Sequence, residues 1–255
     1  MNMAPQMKSL EEVKVLTQNL SWKKDQIKEL EEEFCTLAKY FLYGGYVRVL
    51  DRYRIYIQCV EFYFHSEREN GIKDPIVYHR NGHHVAGIVP YFKPLTFHAH
   101  ASGYDIAFEN PEQHYRASAL IRSYEIYDED KDIKDFMVFV HKYVTKYDIK
   151  KQKMVQVDEG RFEYMSTIKN SITSINTQST YLYDILNGFG DAGTISWVDE
   201  PLPLLDSYDP QKHKRKRQGV YIGAKWQDDE NQNFEIERAR EWSFYRDKLV
   251  KADIR

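Results

Sequence analysis

The chain has only two cysteines among 255 residues, Cys35 and Cys59, too few for a disulfide framework. It has no run of about eighteen apolar residues, the length a membrane-crossing helix needs. Its first residues, MNMAPQMKSLEEVKV, hold no apolar segment of signal-peptide type. A soluble cytoplasmic protein with no membrane partner is the expectation. The glycines form no G-x-x-x-x-G-K-[ST] phosphate loop. No serine sits in a G-x-S-x-G turn, which argues against a hydrolase built on a nucleophilic serine elbow. Charge is also lacking: 36 Lys and Arg stand against 39 Asp and Glu, a net charge of −3. There is no global basic excess to advertise a nucleic-acid partner, although a local basic face would suffice.

What is present is aromatic. Hydrophobic residues make up 42% and aromatics 15%, with 20 tyrosines, a globular composition that suits strands and surfaces on which flat ligands stack. Residues 8–42 read as helical, with Ser21 as a cap and Ile27, Leu30, Phe34, Leu37 and Phe41 as the buried stripe. Gly44-Gly45 ends this segment, and Tyr46 to His65 turns to strand texture. Residues 66–90 read as a polar loop. Pro90 to Glu125 packs three strand-like runs around the small-residue corner HAHASG. Lys131 to Tyr147 reads as an amphipathic helix on Ile133, Phe136, Val140 and Val144. Residues 148–178 are ambiguous, Thr180 to Leu186 suggests a short helix, GVYIGAKW suggests a strand, and EWSFYRDKL follows a polar loop as a closing segment. The expected fold is α/β of the α+β kind. A mixed, largely antiparallel sheet with flanking helices would form one domain over 43–255, with the helical segment 1–42 packed on it.

Two charged residues stand out because they interrupt apolar strands. In a strand over IYIQCVEFYFH, side-chain alternation puts Glu61 on one face with Tyr63 and His65. Arg122 interrupts ALIRSYEIY in the same way. Burying either alone is costly, so mutual pairing, or a shared water, is the economical arrangement. A carboxylate holding a water is the minimum equipment for hydrolysing an activated C–N or C–O bond. The histidines offer a second chemistry: His98 and His100 share a strand face, and with His83 or His84 and a carboxylate, Glu61 or Asp105, they would supply a metal site. The run Lys212, Lys214, Arg215, Lys216 and Arg217 is the one dense basic patch, suited to a phosphate backbone.

With these residues in hand, the chain resembles the alkyladenine (3-methyladenine, methylpurine) DNA glycosylases, in order along most of residues 45–246. VEFY, with Glu61 and Tyr63, is similar to that family's strand ending in the general-base glutamate. KPLTFHAHASG, Lys93 to Gly103, is similar to its K-P-x-T turn and following strand. ALIRSYE places Arg122 where the family's arginine helps hold the attacking water. RQGVYIG is similar to its basic R-x-G-[IV] strand, and EWSFYRD to its W-x-x-x-x-x-F-Y-like ending. The departures fall where the family reads its base. His98 and His100 stand where it has stacking tyrosines, and Ser102 stands where it has the tyrosine wedged into the duplex, with Tyr104 the nearest replacement. The family's pocket histidine has no aligned position here; His65, His79 and His83 are candidates.

The resemblance implies a monofunctional DNA glycosylase acting on double-stranded DNA as a monomer, with no metal and no cofactor. Glu61 and Arg122 would be catalytic. Tyr63, His98, His100, Ser102 and Asp105 would line the base pocket, Tyr104 would fill the vacated stack, and residues 212–217 would meet phosphates. The substrate would be an alkylated purine in repair, or a bulky hypermodified base of phage DNA in antiviral defence. The alternatives are a histidine-ligated metal hydrolase and a non-catalytic DNA-binding module.

Overall fold

A computed structural model describes residues 9–82, 87–100, 103–128, 137–140, 143–164, 179, 181–182, 184–186, 195–203, 205–217 and 239–246. The N-terminal segment is two helices rather than one. Helix α1 (Leu10–Thr17) opens on Ser9, whose hydroxyl accepts from Glu12 N while the Glu12 carboxylate accepts from Ser9 N. Helix α2 (Ile27–Tyr43) follows a single 3₁₀ turn at Lys24–Gln26. Ser21 does not cap it: its hydroxyl and its backbone N–H both bond the Glu33 carboxylate, one turn or more inside the helix. The apolar stripe holds nonetheless, with Leu30, Phe34, Leu37 and Phe41 fully buried.

The main sheet is antiparallel at every pairing, in the order β10-β1-β2-β5-β4-β3. Its strands are β1 (Gly45–Val49), β2 (Tyr53–Ser66), β3 (Thr96–His100), β4 (Gly103–Ala107), β5 (Tyr115–Asp128) and β10 (Ile195–Asp199). The β1–β2 connection puts Leu50 and Asp51 at φ +56° and +51°, the mirror-image turn whose twist suits a hairpin, made here without glycine. Gly45 is needed for a different reason. A Cβ there would lie 2.0 Å from Val198 O on β10, so only glycine admits the neighbouring strand.

β2 is the centre of the molecule. Its first half pairs with β1 and its second half with β12 (Ser243–Tyr245), which also pairs with β11 (Lys214–Arg215), while β5 runs along its other side. Alternation splits the sheet into two unlike buried faces. Phe62 and Phe64 point to α2, where Phe62 stacks on Phe34 at 4.5 Å and Trp242 meets Phe34 edge-on at 5.1 Å. On the opposite face the cross-strand rows are polar: His65 beside Arg116, Tyr63 beside Ser118, and Glu61 in line with Leu120, Asp105 and His98. The fold is therefore α+β with one largely antiparallel curled sheet in one domain.

The amphipathic helix expected over Lys131 to Tyr147 is absent where described. Residues 137–140 and 143–148 form strands β6 (Met137–Val140) and β7 (Tyr143–Asp148), paired with β9 (Arg161–Tyr164) and β8 (Lys153–Asp158). The spacing of Val140 and Val144 that suggested a helix is outweighed by β-branched and aromatic content, since MVFV and YVT favour extended backbone. The expected short helix is borne by helical residues at 179, 181–182 and 184–186, and the closing segment EWSFYRDKL contributes strand β12. GVYIGAKW lies outside the described residues.

Candidate active site

Glu61 has no exposed surface, because β2 is covered on both faces and flanked by strands on both edges. Its Oε1 accepts from Arg122 Nη2 at 2.7 Å and from the Tyr63 hydroxyl. Arg122 Nη2 also donates to Tyr63 Oη at 3.2 Å, closing a triangle of carboxylate, phenol and guanidinium. The triangle follows from register: Glu61 pairs with Leu120, so Arg122, two residues on, lies diagonally across the same face. Burial, with Glu61 next in weight, holds the Tyr63 phenol well above its ordinary pKa, so it stays a donor. Burial alone would lower the Arg122 pKa, but Tyr63 and Glu61 beside it carry it above its ordinary value.

A second ion pair backs the first. Arg217 is buried, donating from Nη1 to Asp74 Oδ2 at 2.5 Å, and its guanidinium lies 5.1 Å from the Tyr63 ring centroid and 5.1 Å from that of Trp242. This corrects the expectation for the basic run. Arg217 is an interior residue, and Arg215 is half-buried, directed at Cys59 Sγ (3.5 Å) and over the Tyr245 ring. Lys212 and Lys216 are exposed, Lys212 beside Asp209. Alternating strand residues cannot all face a phosphate backbone, and Lys214 and Arg215 of β11 are both half-buried.

Further along the polar face, Asp105 is buried and accepts from the Ser118 hydroxyl at 3.1 Å. His98, its register partner, is half-buried, bonds Thr96 Oγ1 through Nε2 at 2.9 Å and stacks on Phe92 at 3.7 Å. Partial burial lowers the His98 pKa, opposed by Glu109 and Asp105. Nothing is described for the side chain of His100 or for Ser102, and His83 and His84 lie outside the described residues. Tyr104, expected at a surface where it could enter a duplex, is instead buried in the hydrophobic core. Gly103 beside it sits at φ +137°, and a Cβ there would fall 2.2 Å from Ser179 Oγ, so glycine is required at this corner.

The sequence reading missed a third cluster, at the far end of the same face. Glu109 and Arg116 are fully buried and paired at 3.2 Å. Glu109 also accepts from Phe92 N at 2.6 Å and contacts His79 Nδ1, while Arg116 reaches Glu67 Oε1, Asn81 Oδ1 and the carbonyls of Val89 and Pro90. One arginine thus ties Glu67, Asn81, Val89 and Pro90 to the polar face. Parity could have found it, since Arg116 and Arg122 are six apart on one strand.

His65, on that face too, lies 3.0 Å from Asp74 O through Nδ1, and burial, helped by Arg80 and Lys73, pushes its pKa down to about 3. Below about 6.5 the unfolded chain takes up a proton that the native chain refuses until about 3. Stability is therefore complete above 6.5 and is lost on acidification through that window, by about 1.4 kcal/mol per pH unit for this one group. His65→Asn is expected to flatten the fall in urea midpoint between pH 7 and pH 5, and an unchanged fall would refute the assignment.

Among the described residues no group of three His, Cys, Asp or Glu side chains is close enough to hold a metal ion. Both cysteines are buried, which raises their pKa values, that of Cys35 to about 12. The spacing G-x-G-x-x-G does occur at Gly188, Gly190 and Gly193. It precedes strand β10 rather than opening a helix after a strand, and it lies outside the described residues. No helix of the described chain is long and apolar enough to cross a membrane. Comparison with protein-family models, with curated proteins and with solved structures finds no match to this chain. The glycosylase resemblance therefore rests on the ordered motifs of the sequence.

Proposed function

We propose that the chain is a monofunctional DNA glycosylase, a hydrolase of the N-glycosidic bond of a modified base turned out of the duplex. The observation that carries this reading is the Glu61–Tyr63–Arg122 triangle: a buried carboxylate, at a position matching the family's general base, held by the arginine at the position that matches its partner. A base must leave the stack before its glycosidic bond can be reached. Glu61 takes a proton from water as the water oxygen bonds to the sugar C1′. The C1′–N bond breaks through an oxocarbenium-like state, and its electron pair departs with the base, leaving an abasic site. Arg122 and Tyr63 fix the carboxylate and balance its charge. Because Glu61 has no exposed surface, the chain around it must yield for a nucleotide to enter, as lids do.

Asp105 and His98 continue the row from Glu61, with Ser118 in the next row bonded to Asp105, offering hydrogen bonds where an alkylpurine pocket would offer aromatic walls. This favours a polar, bulky modified base, such as those of hypermodified phage DNA, and with it a role in antiviral defence over alkylation repair. The test is abasic-site formation on a panel of alkylated and hypermodified duplexes. Activity confined to alkylated DNA would leave the glycosylase and remove the defence role. DNA binding without abasic sites on any of the panel would favour the alternative, a binding module in which Glu61–Arg122 is a structural ion pair.

A further inference from the structure

The two small sheets outside the main one are parts of a single feature. β6 pairs with β9 at Val140↔Arg161 and β7 with β8 at Tyr143↔Asp158, in one register, so the described residues between Met137 and Tyr164 form a two-stranded ribbon that turns at 149–152. The turn is shaped by Asp148, whose Oδ1 accepts from Lys150 N and Lys151 N, and by Gln152 at φ +48°. The distal end is unlike a solvated loop. Ile149 is 81% exposed, and Tyr147 and Met154, paired across the strands, are 59% and 58% exposed. Around them, residues 146–154 carry four lysines against one aspartate, Asp148. Lys151 lies 3.8 Å from Asp148 and Lys146 contacts Glu159. Lys150 and Lys153 stand in solvent with no carboxylate within ion-pair distance among the described residues.

We propose that this ribbon is an arm that grips duplex DNA, with Lys150 and Lys153 on phosphates and the Tyr147–Ile149–Met154 tip against the bases or sugars in a groove. Three features fit that occupant. A two-stranded ribbon has the cross-section that the major groove admits. An exposed apolar tip ringed by cations matches a surface in which an anionic rim flanks a less polar floor, and apolar side chains at such tips wedge between base steps. Lastly, the basic run at 212–217 loses Arg217 and much of Arg215 to the interior, so the exposed lysines of the ribbon tip are a second source of phosphate contacts. The proposal rests on DNA as the substrate, not on the chemistry assigned to Glu61.

The experiment is fluorescence anisotropy of the full chain with a labelled duplex over a range of NaCl concentrations. Lys150→Gln with Lys153→Gln is expected to weaken binding about tenfold or more at low salt and to reduce the slope of log K against log [NaCl] by about two. Tyr147→Ala with Ile149→Ser is expected to weaken binding with the slope unchanged. All four side chains are exposed, so the variants should unfold at the parent temperature. Unchanged affinity and slope in the lysine variant would overturn the proposal, as would binding to anionic phosphatidylserine vesicles that is lost in the variants while DNA binding is kept. Duplex binding that depends on the arm, without abasic-site formation, would leave the arm standing and remove the glycosylase reading. Base release indifferent to the arm would do the reverse.

Discussion

Glu61→Gln is expected to lower base release by roughly 10²- to 10⁴-fold, the contribution of a general base, with DNA binding nearly unchanged. The substitution keeps shape and removes only the basic oxygen. The amide carbonyl still accepts from Arg122 Nη2 and the Tyr63 hydroxyl, the two bonds Glu61 Oε1 makes now. Arg122 then keeps its hydrogen bond but loses its counter-charge, and a stability loss on the order of 1–3 kcal/mol accompanies the lost activity. The readouts separate the roles. Single-turnover abasic-site formation reports chemistry, anisotropy reports binding, and urea unfolding reports the ion pair. A folded Glu61→Gln protein with full activity would remove Glu61 from the mechanism, whereas loss of stability with no activity to lose in the parent would mark the triangle as structural.

How much of this was legible beforehand follows from which physical rule governed each part. Strand alternation is local, so β2 and the shared face of Glu61, Tyr63 and His65 could be read directly, and the cost of burying a lone charge pointed from Glu61 to Arg122. Register is not local. That Asp105 and His98 fall in line with Glu61, while Tyr104 turns into the core, depends on how β4 and β5 align, which one residue of slip would reverse. The basic run misled because a cluster of cations in sequence is distributed to both sides of a strand in space, and Arg217 goes inside to Asp74. The 131–147 helix misled because period and propensity disagreed, and propensity prevailed. Glu109 and Glu67 were invisible because each lies in irregular chain, and only the tertiary fold brings them to Arg116; His79 could be named as a candidate pocket histidine, but not as the neighbour of Glu109.

That last cluster carries the largest expected effect on stability. Arg116→Ala should cost about 3–5 kcal/mol, because it strands the Glu109 carboxylate in the interior and removes the donors that hold the chain at Asn81, Val89 and Pro90. Removing both charges, as Arg116→Met with Glu109→Gln, should cost less than the sum of the single changes, since no uncompensated charge then remains. The strand β5 also loses packing on one face, as the Arg116 guanidinium lies 3.7 Å from the Tyr91 ring centroid. Urea unfolding of the four proteins in this cycle measures the coupling directly. Limited proteolysis adds its location: in Arg116→Ala, cleavage should accelerate within 67–95 before the sheet itself is cut, because the described residues there form no helix or strand and lose their bonds at Glu67, Asn81, Val89 and Pro90. A single-variant loss below about 1 kcal/mol, or cleavage that begins elsewhere, would mean that the segment is held by its apolar contacts and not by the buried ion pair.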